Sequence, residues 1–318
     1  MKSLQPTFVQ ALAVVAVLVL LPFFGSSFVV SQLGAQVLAL GTVTLSLSFL
    51  AGQLGMVSLV QMSLAGVAAY AMAISGHAAD GFGWQWSIGA SVCLAVSVTV
   101  LLGVVVGALS ARTEGVYTIM ITLAVGIAIF TLVQQNYVVF NGFNGLTGVR
   151  VPQVLPSAWG THTNLYALCL ALAALGFLFV AWFKQTTLGL AMNGVRDNPR
   201  RMASLGFSVY KIRMLGFGVG GFLASLGGMA LVWCDQMISP GRIQVSSMVD
   251  VLIMAVLGGI KNPWGPYVGA LAYVLLKTFS IDLVGAERFN LLIGLVFITT
   301  VMCCEDGLTA WVKRARRR

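Results

Sequence analysis

Few residues of this sequence have the types and spacing that catalysis requires. The two histidines, His77 and His162, lie far apart, and the five cysteines include no C-x-x-C pair. A metal site or a cysteine nucleophile needs several such residues close together. Glu305 and Asp306 are adjacent, but solvation at a helix end explains them. We therefore predict no catalytic residue and no metal site, and we interpret the cysteines as small apolar packing residues.

Nucleotide-binding patterns are equally weak in this sequence. The stretch 216–221 matches G-x-G-x-x-G, but it lies inside an apolar run without the preceding strand that a dinucleotide fingerprint requires. Close helix packing explains these glycines better. The sequence contains no G-x-x-x-x-G-K-[ST] phosphate loop. We predict that the chain binds no cofactor of its own, ATP included.

The segment 184–213 is the most polar part of the chain. It holds six of the 18 basic residues and a single acidic residue, Asp197, between two long apolar runs. A basic segment in this setting indicates a cytoplasmic loop that contacts another component. That contact is the best clue in the sequence to what the chain does.

The composition indicates a membrane protein. The chain has 318 residues, of which 58% are hydrophobic and 8% charged, and its mean hydropathy is +0.95. A soluble domain carries about 25% charged residues. The net charge of +9 is therefore interpreted first as a signal of membrane topology. The basic residues form no aromatic-rich patch outside the apolar runs, so we do not expect nucleic acid as a partner.

Ten apolar runs predict an all-α bundle of about ten membrane-spanning helices, since a span needs about 20 mostly apolar residues. The first follows Lys2 but lacks a convincing signal-peptide cleavage site, so we expect it to be retained. The eighth is short, which leaves a re-entrant segment open. The predicted spans are 8–24, 29–50, 57–75, 87–109, 115–133, 164–183, 211–232, 247–260, 266–282 and 289–304.

The distribution of basic residues predicts which side of the membrane each connection faces. With ten spans, three basic residues fall on one side: Arg150, Arg242 and Arg288. Fourteen fall on the other side: Lys2, Arg112, Lys184, Arg196, Arg200, Arg201, Lys211, Arg213, Lys261, Lys313, Arg314, Arg316, Arg317 and Arg318. Because cytoplasmic loops are rich in Lys and Arg, we predict that both termini and the segment 184–213 are cytoplasmic. The basic tail is expected to lie against anionic membrane lipid.

Small residues recur every four positions within the apolar runs. Gly216, Gly220, Ala224 and Gly228 share one predicted helix face, and Gly103 and Gly107 share another. Such faces allow helix backbones to approach closely in lipid. The spacing predicts a tightly packed bundle.

Four segments, in order, resemble the permease subunits of branched-chain amino acid ABC importers, of the LivM type. The segment 51–70 is similar to a G-x-x-G-x-x-S-L-x-Q stretch that continues into G-x-x-A-Y. The segment 112–124 is similar to R-x-x-G-x-Y-F-A-x-x-T-L-A. Within 189–206, Val195-Arg-Asp-Asn198 resembles A-I-R-E-N. The last, Ser239-Pro240 followed by 256–270, is similar to V-L-G-G-x-G-T-x-x-G-P-x-x-G-A.

This resemblance implies a single permease domain over 1–318 in the inner membrane of a bacterium, with 184–213 as its coupling loop. It implies a second homologous permease subunit, two cytoplasmic ATPase subunits that bind ATP, and a periplasmic solute-binding protein. The solute would be a branched-chain amino acid. Urea and amides are the alternative within the family. An ion-coupled secondary transporter is a less favoured alternative, because few ionisable residues fall inside the spans.

Two sets of site residues follow from the resemblance and from the pattern. The first set would contact the ATPase: Gly189, Arg196, Asp197, Asn198, Arg200, Arg201, Ala203, Leu205 and Gly206. The second set consists of polar residues in or near the spans that would line the solute path: Ser58, Gln61, Ser63, Thr118, Thr122, Gln134 and Asn136. Hydrogen bonding between helices is an equally good explanation for any one member of the second set.

Overall fold

A computed structural model describes residues 29–76, 83–152, 161–260, 262–284 and 289–303. These ranges contain twelve α-helices, which confirms the predicted all-α class. The helices are α1 Gln36–Leu54, α2 Gln61–Ser75, α3 Ile88–Ser110, α4 Val116–Gln135, α5 Tyr137–Phe140, α6 Thr161–Phe183, α7 Thr187–Asp197, α8 Pro199–Ser204, α9 Val209–Asp235, α10 Val245–Gly258, α11 Gly265–Val284 and α12 Phe289–Cys303. A π-helical segment, Val29–Ala35, precedes α1.

Nine of the ten predicted spans coincide with helices to within a few residues. Five helical stretches are long and apolar enough to cross a membrane: Leu33–Leu54, Ile88–Ser110, Val116–Gln135, Thr161–Phe183 and Val209–Asp235. The apolar helices α2 and α10 are shorter, at 15 and 14 residues. At about 1.5 Å per residue, neither covers a hydrocarbon core of about 30 Å. The predicted span 8–24 and the basic tail lie outside the described residues.

Helix α9 lies at the centre of the described bundle and packs against α1, α2 and α3. In α1 and α9, 78% and 83% of the most apolar stretch is buried, whereas in α3, α4 and α6 the share is only 22–33%. The apolar residues exposed on these three outer helices are suited to lipid or to another membrane subunit.

The predicted small-residue packing is confirmed. A methyl group added at Gly228 would lie 2.0 Å from the carbonyl oxygen of Ala65 on α2, and one added at Gly216 would lie 2.2 Å from Leu54 Cδ1 on α1. On α3, a methyl group at Gly103 would lie 2.7 Å from the carbonyl oxygen of Phe217. Glycine is therefore what lets α9 approach three neighbours at once.

The connections gather at two ends of the bundle. At one end, strand β1 (Leu146–Thr147) pairs antiparallel with β2 (Met237–Ile238). At the other end, Arg196 in the connection after α6 contacts the last turn of α1, and Arg213 at the start of α9 contacts the turn after α3. This grouping agrees with the two sides predicted from the basic residues. Which end faces the cytoplasm stays a prediction.

Candidate functional site

A break between α1 and α2 holds a cluster of buried polar side chains. Helix α1 ends at Gly55, whose φ of 69° lies in the left-handed region that glycine adopts readily. The chain then runs without helix until Gln61. The side chains of Ser58, Gln61 and Ser63 are fully buried at this break. The polar atoms of the break are therefore shielded from solvent.

The cluster is only partly satisfied by protein hydrogen bonds. Ser46 Oγ on α1 donates to Gln61 Oε1 at 3.0 Å. Within the described part of the chain, Gln61 Nε2 and the hydroxyls of Ser58 and Ser63 have no hydrogen-bond partner. A buried polar group left unpaired costs about 1–3 kcal/mol. Such groups in a native protein indicate a missing partner, for which a water or a passing solute is suitable.

Helix α4 closes one side of the cluster. The hydroxyl of Thr122 accepts a hydrogen bond from the Leu59 backbone N–H at 3.2 Å. A methyl group on Gly126 would lie 3.1 Å from Ser63 Oγ, so α4 passes directly beside α2. Thr118, one turn before Thr122, shares a 3.2 Å hydrogen bond with Thr113. Five of the seven predicted path residues therefore lie at the α1–α2 break or on the part of α4 beside it.

The other two predicted path residues lie elsewhere. Gln134 and Asn136 are at the far end of α4, near the paired strands, and Asn136 is exposed. The side chain of Asn136 accepts a hydrogen bond from the Val139 N–H at 3.1 Å and so caps α5. Their polar character reflects the end of a helix, where the first backbone N–H groups need acceptors. Neither Gln134 nor Asn136 is therefore part of the buried cluster.

The predicted coupling loop 184–213 contains two short helices, α7 and α8, which we call the coupling hairpin. Thr186 caps α7 by accepting from the Gly189 N–H at 3.2 Å, and Asn198 caps α8 by accepting from the Arg201 N–H at 3.0 Å. Pro199 occupies the first turn of α8, where its missing N–H costs nothing. Gly206 has a φ of 87° and turns the chain towards α9.

The coupling hairpin has a buried face and an exposed face. Ala191, Met192 and Val195 are buried against the bundle. On the exposed face, large apolar side chains accompany arginines, an arrangement suited to a protein surface rather than to water alone. The exposed residues include Leu188, Leu190, Arg196, Asp197, Asn198, Arg200, Arg201, Ala203, Leu205, Gly206 and Phe207. All predicted ATPase contacts except Gly189 are in this set; Gly189 is buried against Phe183.

Arg196 connects the coupling hairpin to the end of α1. Its guanidinium donates to the backbone carbonyl of Gly52 and also pairs with Asp197 at 2.9 Å. The aliphatic part of the side chain covers Gly55, because a methyl group there would lie 2.8 Å from Arg196 Cγ. Arg196 therefore has partners within the chain, and it contacts the residues that lead directly into the buried polar cluster.

Arg213 makes a second connection at the same end. Its side chain is buried, donating to Glu114 Oε1 at 2.7 Å and to the Ala111 carbonyl at 3.0 Å. Beside it, the Arg112 guanidinium lies 5.6 Å from the ring centre of Tyr210. The start of α9 is thus bound to the turn between α3 and α4. The sequence placed Arg213 among the basic residues of the predicted cytoplasmic side, and the structure adds that its side chain is buried.

The opposite end carries an ion pair that the sequence analysis did not single out. Arg242 pairs with Asp235, the last residue of α9, across the connection that contains β2. Both residues line a cavity of about 10 Å³, large enough for one water. Ile243, the next residue along, packs on Gly66 of α2. The only sequence signal was an opposite-charge pair flanking Ser239-Pro240 between two apolar runs.

Among the described residues, no group of three or more His, Cys, Asp or Glu side chains is placed to hold a metal ion. The arrangement offers neutral hydrogen-bonding groups in its buried part and charges at its two ends.

The chain is similar in sequence to known transport proteins. The chain is 23% identical to the high-affinity branched-chain amino acid transport system permease protein LivM of Salmonella typhimurium, over 96% of this chain and 75% of that protein. It is 22% identical to LivM of Escherichia coli, over 83% of this chain and 66% of that protein. It is also 25% identical to the nucleoside ABC transporter permease protein NupC of Lactococcus lactis, over 59% of this chain and 64% of that protein.

No solved structure matches the chain. The family model described as "Branched-chain amino acid transport system / permease component" matches residues 29–301. That range includes the buried polar cluster, the coupling hairpin and the Asp235–Arg242 pair. The chain therefore belongs to this family of bacterial ABC transporter permeases, which are multi-pass membrane transporters and not enzymes.

Proposed function

We propose that this chain is the transmembrane subunit of an ABC importer that passes branched-chain amino acids from a periplasmic binding protein into the cytoplasm. The observation that carries the proposal is the connection of a buried, unsatisfied polar cluster at a helix break to an exposed basic hairpin. The solute class comes from the family and from the names of its two LivM relatives.

The buried cluster supports a path along the α1–α2 break. Ser58, Gln61 and Ser63 present hydrogen-bonding groups without formal charge in the middle of the packed bundle. A polar solute moving through lipid needs such groups in place of water. Helix breaks are also where transport proteins expose backbone polar atoms to a solute. In this proposal the cytoplasmic half of the solute path runs along the α1–α2 break.

The coupling hairpin supports an ATPase partner. Its exposed face combines apolar side chains with Arg200 and Arg201, which would meet an acidic rim on the ATPase. In this proposal the hairpin moves with the ATPase when nucleotide binds, and Arg196 passes the movement to Gly52 and Gly55. The full assembly contains this chain, a second homologous permease, two ATPase subunits and the periplasmic protein.

A nucleoside is the second candidate solute, because a permease named for nucleoside transport is among the relatives. Urea and amides are a third candidate. They are small and uncharged, and the neutral hydroxyl and amide side chains of the cluster can form hydrogen bonds with them. An ion-coupled transporter without an ATPase is the least supported, because the coupling hairpin would then have no partner.

The test is reconstitution of the complex in proteoliposomes, with the binding protein outside and ATP inside. The binding protein is first screened for solutes that raise its melting temperature, because a bound ligand stabilises the folded state by mass action. We expect leucine, isoleucine or valine to do so and then to accumulate only when ATP is present. Accumulation of adenosine instead would identify the nucleoside alternative, and uptake by this chain without ATPase would refute the proposal.

A further inference from the structure

Two cysteines from different helices are in contact near the strand-paired end of the bundle. Cys169 lies on α6 and Cys234 lies one residue before the end of α9, and their Sγ atoms are 3.5 Å apart. Neither is in a disulfide in the structure. Thiols that are merely packing residues do not need to contact each other, and 65 residues of chain separate these two.

The surroundings of this pair meet the requirements of a disulfide site. Cys169 is buried and Cys234 is only partly exposed, so the two thiols face each other within the packed interior. The pair lies beside Asp235, at the end that the basic residues predict to be periplasmic. Periplasmic proteins meet oxidising conditions in which disulfides form and persist. Bond formation requires the sulfurs to approach from 3.5 Å to about 2.05 Å.

We infer that Cys169 and Cys234 form a reversible disulfide that restrains the transporter. A low-molecular-weight or protein disulfide is the oxidant. The Cys234 thiolate attacks it, forming a mixed disulfide and releasing one thiolate of the oxidant. The Cys169 thiolate then attacks Cys234 Sγ and displaces the second thiolate. Two thiols lose two protons and two electrons, and the oxidant is reduced to two thiols.

The helices involved explain why such a bond would affect transport, a consequence that rests on the proposed function. Helix α6 leads directly into the coupling hairpin, and α9 follows directly after it. A disulfide near their other ends would hold the two helices that flank the hairpin at a fixed separation. It would also immobilise the end of α9 that carries the Asp235–Arg242 pair. Movement of the hairpin would then be opposed at the far end of both helices.

The experiment treats the purified complex with 4,4′-dithiodipyridine, a small aromatic disulfide, and maps the cysteines by alkylation and peptide mass spectrometry. We expect a linked peptide joining Cys169 and Cys234, with release of two thiopyridones per link. ATP-driven uptake should fall at least about fivefold and return after treatment with dithiothreitol. Cys234→Ser should prevent both the link and the loss of uptake. Cys93→Ser, which changes an exposed cysteine on α3, should preserve both.

The chemical readout separates this inference from the proposed function, because the linked peptide is measured whether or not the complex transports any solute. Absence of the 169–234 link in the wild type would overturn the inference. If the disulfide forms fully while uptake is unchanged, the inference that this disulfide restrains the transporter is wrong. If Cys234→Ser reduces the yield of complex, Cys169→Ala gives the same test from the other helix.

Discussion

At Gln61 a fully buried amide uses its oxygen in a hydrogen bond and leaves its nitrogen without one in the described structure. A purely structural glutamine would be a poor choice here, because an apolar residue of similar size removes the cost of the unpaired donor. We therefore propose that this unsatisfied donor, which lies beside Gly220, contacts solute or water. The same argument applies to the hydroxyls of Ser58 and Ser63.

This argument predicts that stability and transport respond in opposite directions at this position. In Gln61→Leu, the melting temperature of the purified complex should stay constant or rise, because the unpaired donor is gone. Uptake should fall at least about tenfold, which corresponds to about 1.4 kcal/mol of lost stabilisation along the path. Ser225→Ala is the matched control, since Ser225 is buried on α9 but bonds only to the carbonyl of Phe222.

The control should leave uptake within about a factor of two of the wild type. If Gln61→Leu transports as well as Ser225→Ala, the cluster is a packing feature and the path lies elsewhere.

At the scale of helices, glycine sets how closely α9 can approach its neighbours. Gly228→Ala would place a methyl group 2.0 Å from a backbone oxygen of α2, and backbone atoms cannot move aside as a side chain does. Overpacking of this kind costs about 1–3 kcal/mol, and this contact should lie at the upper end. We expect a lower melting temperature and a reduced yield of folded protein, measured by fluorescence-detected size exclusion.

Gly294→Ala on α12 is the matched control for this prediction. No atom of the described residues lies within 4 Å of the position that its methyl group would occupy, so the yield should equal or exceed that of the wild type. Equal yields of the two variants would show that α9 does not approach α2 as closely as described.

The sequence predicted the helices well and their interruptions poorly. Long apolar runs identify α3, α4, α6 and α9, because lipid requires a continuous apolar surface. The break after α1 was less visible. Its cause is Gly55 in the left-handed region, and the residues after it are as apolar as those in a helix. The two helices of the coupling hairpin begin at caps made by Thr186 and Asn198. These helices are short, so no long apolar run marks them in the sequence.

Residues of the buried polar cluster were predictable only where they lie close together in sequence. Thr118 and Thr122 are one turn apart on α4, and Ser58, Gln61 and Ser63 are near neighbours in sequence. Gln134 and Asn136 lie apart from the buried cluster, because polar type alone does not distinguish the end of a helix from a buried path. Their place on the solute path stays a prediction. The contacts of Arg196 with Gly52 and of Arg213 with Ala111 were not predictable, because the contacting residues are 144 and 102 positions apart in sequence.

For the whole molecule, the clearest prediction is its orientation: the coupling hairpin faces the cytoplasm and the paired strands face the periplasm. Cysteine labelling needs one exposed position at each end. Gly145, at the strand-paired end, does not suit, because its φ is 68° and a methyl group there would lie 2.1 Å from the Ile238 carbonyl oxygen. The exposed residues Asn144 and Ser204 are better positions. In a background without native cysteines, Asn144→Cys should react with a membrane-impermeant maleimide added to intact spheroplasts. Ser204→Cys should react only after the membrane is permeabilised.

These two positions belong to different ends of the bundle in the structure, so the result decides its orientation. Labelling of Ser204→Cys in intact spheroplasts would place the coupling hairpin outside the cell and exclude its contact with an ATPase.

The central claim is that movement of the coupling hairpin reaches the buried polar cluster through Arg196. The most direct measurement compares ATP hydrolysis and uptake in the same proteoliposomes for wild type, Arg196→Gln and the control Arg150→Gln, an exposed arginine at the other end. We predict that Arg196→Gln assembles and retains basal hydrolysis. Stimulation of hydrolysis by the loaded binding protein should fall at least about fivefold, together with uptake, while Arg150→Gln resembles wild type. Wild-type stimulation and uptake in Arg196→Gln would contradict the account.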